Sequence, residues 1–242
     1  MTDALPEATR QVVELAGPAP DATQRAMQDR AASDAFPIIG PAAGGLLSVV
    51  ARLTGAERVL ELGSGFGYSA SWFARGMGPD GEVRLTERHA DEIELARSFL
   101  EEGDYAPWFR YSVGDGIEIA REETGPLDVV LLDLEKGRYA EAFETVRDRV
   151  VSGGVVVADN VLQGPHDVDD VLARLGAASG PEPDVDGGST DESAGTASTP
   201  EATDAGTAAG IARFLARLRR DPAFETVVLP TGSGLSLSVR RR

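Results

Sequence analysis

The stretch Val59-Leu60-Glu61-Leu62-Gly63-Ser64-Gly65-Phe66-Gly67-Tyr68-Ser69 decides the fold. Its first half is a short, mainly apolar run, the pattern of a strand buried on both faces of a sheet. Its second half places glycine at alternate positions, where the backbone can turn sharply and approach a ligand without a Cβ in the way. Residues 69–77 then suit a helix. A strand, a glycine turn and a helix in that order open an α/β sheet, and such sheets bind ligands in the crevice at the carboxyl ends of their strands. The spacing is G-x-G-x-G and not the dinucleotide fingerprint G-x-G-x-x-G. Taken alone, it is also what a plain tight turn requires.

Downstream, short apolar runs at 83–86, 109–113, 129–132 and 155–158 alternate with stretches that suit helices, among them 89–100 and 139–150. That alternation implies a mainly parallel sheet covered on both faces. The end of the chain departs from it. Runs 224–229 and 235–239 flank Thr231-Gly232-Ser233-Gly234, a tight turn, so a hairpin adds an antiparallel strand to the sheet. Upstream, 6–16, 21–33 and 41–54 read as helices, with Asp21 as an N-cap and Leu46, Leu47, Val50 and Leu53 at helical spacing. The expected organisation is a helical segment, 1–56, packed on a sheet domain, 57–242. Within that domain, about 177–209 is expected to be a disordered acidic insertion. From 180 to 210 it carries seven acids and no bases, and its large apolar content is essentially Val185. Such a composition buries too little surface to offset the entropy of ordering.

Forty Asp and Glu against 23 Lys and Arg give a net charge of −17. That average field repels nucleic acid and anionic membrane surfaces. No apolar run reaches the ~20 residues of a membrane span, and residues 1–10 lack the basic start and apolar stretch of a signal peptide. A cytoplasmic protein is therefore expected. Without cysteine there is no disulfide, thiol nucleophile or thiolate metal ligand. Lys136 is the only lysine, the other 22 bases being arginine. An acidic, nearly lysine-free surface is the pattern of a halophilic protein, and a GC-rich genome produces the same exchange.

Acids stand at the ends of the second and third runs. Glu87 is placed to accept hydrogen bonds from both hydroxyls of a ribose, and Asp115, in Val113-Gly114-Asp115-Gly116, to meet an adenine amino group. Each alone is equally a solvated strand end or a helix cap. Two further strand ends carry polar groups: Asp128-Val129-Val130-Leu131-Leu132-Asp133-Leu134-Glu135-Lys136-Gly137-Arg138-Tyr139 and Val156-Val157-Ala158-Asp159-Asn160-Val161. In a parallel sheet both open onto the same edge as the glycine turn. Asp159-Asn160 also suits a simple turn.

Together these stretches resemble S-adenosylmethionine methyltransferases, and among them the cation-dependent O-methyltransferase family that includes the catechol and caffeoyl-coenzyme A enzymes. The segment around Asp133 and Lys136 resembles that family's D-x-x-K-x-x-Y motif, and 158–161 resembles its A-D-N-V motif. The likeness runs over about 40–240, apart from the acidic insertion. It implies a Rossmann-like α/β fold with a seven-stranded, mostly parallel sheet and a C-terminal antiparallel hairpin. It implies S-adenosylmethionine as cofactor, with Glu61, Gly63 and Ser69 at the methionine end and Ser64, Gly65, Gly67 and Asp133 beside them. Glu87 would hold the ribose and Asp115 would lie by the adenine. Asp133, Asp159 and Asn160 would hold a divalent cation, expected to be Mg²⁺ because all three donors are oxygen. Lys136 would be the base that takes the acceptor's proton. Arginine, which holds its proton too tightly, could not replace it. The expected partner is a small-molecule hydroxyl acceptor, with no nucleic acid and no membrane, and the relatives' habit of pairing suggests a homodimer. A metal-independent O- or N-methyltransferase of the same fold, and a non-catalytic partner domain, are the alternatives.

Some positions depart from the family pattern. Glu135 stands where relatives often carry Asp or an aromatic residue, and Gln163-Gly164-Pro165-His166 replaces their acceptor segment. His166 either touches the acceptor or stands in solvent. Tyr105 and Trp108 either stack on adenine or fill the core's edge, while Trp72 and Tyr139 are expected to pack.

Overall fold

The computed structural model describes residues 6–105, 107–164, 166–177 and 204–242. Its strands are β1 (Arg58–Leu62), β2 (Glu82–Glu87), β3 (Trp108–Val113), β4 (Leu127–Leu132), β5 (Val150–Ala158), β6 (Phe224–Leu229) and β7 (Leu235–Arg240). They form one seven-stranded sheet in the order β3-β2-β1-β4-β5-β7-β6. β1 to β5 pair in parallel, and β7 runs antiparallel between β5 and β6. The expected parallel sheet with a closing hairpin is present. Strand order reverses between β1 and β4, which creates a crevice at their carboxyl ends.

Side chains alternate across each strand, so the apolar runs feed two cores. Val59, Leu85, Leu131 and Val157 face one core, and Leu60, Leu62, Val130 and Val156 face the other. The first face is covered by α3 (Gly40–Thr54), α4 (Tyr68–Gly76) and α5 (Ala90–Glu102). The second is covered by α6 (Gly116–Glu122), α7 (Tyr139–Val146), α8 (Val168–Ala177) and α9 (Asp204–Arg220). α1 (Glu7–Ala16) and α2 (Ala22–Asp34) lie outside the first layer. Asp21 caps α2 through a reciprocal pair of bonds with Gln24, of 2.8 and 3.0 Å. α3 is part of the sheet's cover, because it packs on α4 and over β4 and β5. Gly44 lies against the Trp72 indole with no room for a Cβ.

Two expectations needed correction. The helix read over 139–150 stops at Val146, and β5 begins at Val150. The Val150-Val151 pair favours a strand, and Gly153 and Gly154 bend it where its pairing with β4 shifts register. The acidic insertion falls mostly on 178–203, outside the described residues. Its last six positions, 204–209, belong to α9 instead. Their small side chains resemble low-complexity sequence, yet Thr207 and Ala208 are buried. A Cβ on Gly210 would press on Lys136 and Gly137, so α9 approaches that turn closely. Among the described residues no helix is long and apolar enough to cross a membrane.

Candidate active site

The glycine turn packs directly on the end of β4. The Asp133 amide donates to the Leu62 carbonyl at 2.9 Å. Gly63 has a left-handed φ of +85°, and a Cβ on it would overlap the Asp133 carbonyl. Only glycine lets the two backbones meet. The Gly63 and Ser64 amides donate to the Thr86 carbonyl at 3.1 and 3.0 Å, which ties the turn to β2. Gly67 plays a different part. Its Cβ would enter the core between Leu85, Ala96 and Leu100, so it seats the start of α4 and does not line the crevice.

A cavity of about 470 Å³ opens at this edge. Gly63, Ser64, Gly65, Ser69, Glu87, Asp133, Lys136, Asp159 and Asn160 all line it. A neighbouring cavity of about 260 Å³ shares Gly63, Glu87 and Asp133 and continues past Arg88, His89, Gly114, Gly116 and Glu135. The two together form a trough across the ends of β2, β1 and β4.

Three acids stand at or near this trough, and of them only Glu87 lines it. Glu87 Oε2 accepts from the Gly65 amide at 3.1 Å, and Oε1 from the Arg88 and His89 amides. Asp115 caps α6 by accepting from the Ile117 and Glu118 amides, and it also accepts from Arg88 and Arg138, each at 2.5 Å. Burial alone would raise its pKa, but the two guanidiniums hold it well below the usual carboxylate range. The residues flanking Asp115 line the smaller cavity while Asp115 itself does not. Glu61 is the opposite case. It is fully buried beside the turn, and neither oxygen has a hydrogen-bond partner among the described residues. Burial pushes its carboxyl up to about 8, with Ser69 opposing and the Asp133 charge adding to the rise.

At the other end of the larger cavity, Lys136 Nζ donates to Asp133 Oδ1 at 2.7 Å and lies 5.3 Å from the centre of the Tyr139 ring. The Tyr139 hydroxyl, fully buried, donates to the Asp159 carbonyl at 3.0 Å. Tyr139 thus ties the Lys136 turn to the Asp159 loop. Asp159 is 3% exposed and accepts from the Asn160 amide at 2.7 Å. Burial, then the Asp133 charge, pushes its carboxyl up to about 7, against the Asn160 amide and Lys136. Asp133 and Asp159 therefore share one cationic side chain. Among the described residues no cluster of three or more His, Asp or Glu side chains could hold a metal. A cation here would draw on two carboxylates and the Asn160 amide.

Some site residues escaped sequence reasoning. Phe36, Pro37, Ile38 and Ile39, between α2 and α3, wall the larger cavity, and Ser233 of the hairpin closes it. The first four form an apolar run outside any helix pattern, a usable signal. Ser233 carries none. Tyr105 and Trp108 lie elsewhere. The Tyr105 hydroxyl bonds Asp21 at 3.2 Å, and Trp108 is 75% exposed at the amino end of β3.

The sheet order, the glycine turn and the trough define a Rossmann-like methyltransferase fold. Solved structures agree. A methyltransferase from Geobacter sulfurreducens superposes with a TM-score of 0.73 at 21% identity, covering 100% of both chains. The O-methyltransferase TomG from Streptomyces achromogenes, solved with S-adenosylmethionine, gives 0.70 at 26% identity over 93% of this chain and 92% of that one. Residues 25–172, well over half the chain, match the O-methyltransferase family. The catechol O-methyltransferase of Mycobacterium tuberculosis is 34% identical over 155 residues, 60% of this chain and 70% of that protein. That of Niastella koreensis is 29% identical over 129 residues, 52% of this chain and 58% of that protein. The chain belongs to the S-adenosylmethionine-dependent O-methyltransferase family.

Proposed function

We propose that this enzyme methylates a hydroxyl of a small, largely aromatic molecule, assisted by a divalent cation and with Lys136 as the base. The supporting observation is the convergence of Lys136, Asp133, Asp159 and Asn160 on one cavity with the glycine turn. When bound, S-adenosylmethionine supplies an electrophilic methyl group, and a cation lowers the pKa of an acceptor hydroxyl and fixes its direction.

The chain's own residues do the rest. Gly63 and Gly65 admit the donor close to the backbone. Glu61, buried and unpaired, holds the ammonium of the donor's methionine end, and Glu87 holds the ribose hydroxyls. Asp115, held by Arg88 and Arg138, borders the adenine. Asp133, Asp159 and Asn160 offer hard oxygen donors, a set that suits Mg²⁺. The two facing carboxylates, short of positive charge, fit such an ion. Phe36, Ile38 and Ile39 exclude water and orient an apolar ring in line with the methyl group. Lys136 Nζ takes up the hydroxyl proton while Tyr139 keeps its turn in place.

The test is methyl transfer to catechol with and without Mg²⁺, at low and at molar salt. Activity is expected to vanish with a chelator and return on adding Mg²⁺. Retention at molar salt is expected of so acidic a surface. Full turnover in chelator would instead favour metal-independent transfer, in which Lys136 alone offsets the charge of Asp133.

A further inference from the structure

Two apolar surfaces of this chain are left uncovered, and each is of the kind that covers the other. The first is α1. Its Ala8, Val12, Leu15 and Ala16 recur at i, i+4, i+7 and i+8 and so share one face, with Gln11 and Glu14 turned the other way. Every described side chain of α1 is exposed, Leu15 by 86%. A face of this pattern normally lies against a core. The helix has 10 residues, fewer than the about 12–15 that an isolated helix needs to hold in water.

The second surface is a strip of sheet. Among the described residues α3 is the last helix of the first layer, and it packs over β4 and β5. β7 and β6 lie beyond it in the sheet order, whereas on the opposite face α9 reaches β6. Val227 pairs with Leu237 and Glu225 with Val239, and Leu237 packs against the first core, so all four side chains stand on that first face. Val227, 51% exposed, and Val239 are open to solvent there. Glu225 is the only charged side chain that the two strands place on this face. α3 widens the strip. Gly44 lies against Trp72, and the Ser48 carbonyl and Ala51 lie against Gly76, so that side of α3 meets α4. Leu46, Val49 and Leu53, at i, i+3 and i+7, run along the flank away from α4. Val49 and Leu53 are exposed, Leu53 by 82%. In the hairpin turn a Cβ on Gly232 would stand 3.2 Å from the Ala43 Cβ, so α3 and the hairpin adjoin.

We propose that a second copy of the chain covers this strip with its α1, and that the exchange is reciprocal about a two-fold axis. A sheet buries its apolar face under a helix, and an amphipathic helix buries its own on a sheet. The chain carries one uncovered surface of each sort. Two copies of net charge −17 repel each other over most of their area. The strip carries one acid, and α1 brings to it only alanine, valine and leucine. A membrane surface suits α1 less, because helices that lie on membranes are rich in Lys and Arg, and α1 has one arginine against two glutamates.

Sedimentation velocity on the full chain tests this. The unaltered protein is expected to be a dimer at micromolar concentration in molar NaCl, and to dissociate as salt is lowered and the repulsion is unscreened. Leu15→Glu and Val227→Lys alter exposed side chains, so both variants should fold. Each should raise the dissociation constant by about tenfold or more. Leu172→Glu, on the exposed side of α8, should leave it unchanged. Mixing the Leu15→Glu and Val227→Lys chains should restore dimers, because a mixed pair keeps one unaltered seat and sets glutamate against lysine in the other. Hydrogen exchange should find the α1 amides protected in the dimer and unprotected in either variant alone. A monomer at every salt concentration overturns the proposal, and so does a monomer whose α1 amides are protected because the helix has folded onto its own strip. A dimer that survives both substitutions, or one that Val227→Lys breaks and Leu15→Glu does not, overturns it as well, since something other than α1 then holds the copies together.

Discussion

The cofactor half of the trough and its acceptor half are built by different means. The cofactor half is mostly backbone. Gly63 and Ser64 bond the end of β2, Gly65 bonds Glu87, and Asp115 is satisfied four times over. Among the described residues Glu61 is left without a hydrogen-bond partner. The acceptor half is drawn from distant segments: Phe36 to Ile39, Asp133 and Lys136, Asp159, Asn160 and Gly164, and Ser233. There, Lys136 pairs with Asp133 beside the buried Asp159, whose carboxyl the Asp133 charge helps push up. The turn of the cofactor half is already tied to its neighbouring strands by backbone hydrogen bonds. The acceptor half depends on segments that only the tertiary fold brings together.

Lys136→Ala should separate the halves most sharply. Turnover is expected to fall by about 10²–10⁴-fold, the usual worth of a positioned general base. Calorimetry should show donor affinity nearly unchanged, and a matching loss of affinity would break the division. Gly63→Ala should damage both halves, because the added Cβ meets the Asp133 carbonyl in a left-handed conformation. A loss of more than about 2 kcal/mol in denaturant unfolding is expected, together with weak donor binding.

Glu61 gives a pH signature. Its carboxyl, pushed up to about 8, is protonated at pH 7 in the free protein, and an ammonium beside it favours the ionised form. Donor binding at pH 7 should therefore release up to one proton. Calorimetry in buffers of different ionisation enthalpy reads that proton, and Glu61→Gln should abolish it. The raised folded value also has a stability sign. Glu61's share is fully present below the unfolded pKa of about 4.5 and is lost as the pH rises through about 8. The free protein should weaken over that window, less steeply in Glu61→Gln. Arg88→Ala should have the smallest effect. Arg88 is 44% exposed where it bridges Asp115 and Glu135. Exposed pairs contribute about 0–1 kcal/mol, so donor affinity should shift by less than about fivefold. A larger change would mean that the Arg88 latch governs entry to the adenine side.

How much of each half could be read from the chain follows its construction. The strand–turn–helix of 59–77 and the acids at 87 and 115 are local signals, since each lies one residue or a few beyond an apolar run. Asp133, Lys136 and Asp159 were legible for the same reason, as residues at strand ends. The walls were not. Phe36 to Ile39 reach the cavity only because α3 folds over β4 and β5, and Ser233 only because β7 inserts beside β5. The small residues at 206–210 look like linker until α9 buries Thr207 and Ala208 and brings Gly210 against Gly137.

The order of residues alone determined the parallel sheet, the closing hairpin and the acids at the strand ends, because a short apolar run, a glycine turn and a strand terminus are all properties of neighbours. Tertiary structure alone decided which polar groups are satisfied. Glu61 and Asp115 look alike in the sequence, yet one is buried without a partner and the other is held by two arginines and a helix cap. Charge state and hydrogen-bond demand depend on what surrounds a group within a few ångströms, and those surroundings come from segments far apart in the chain.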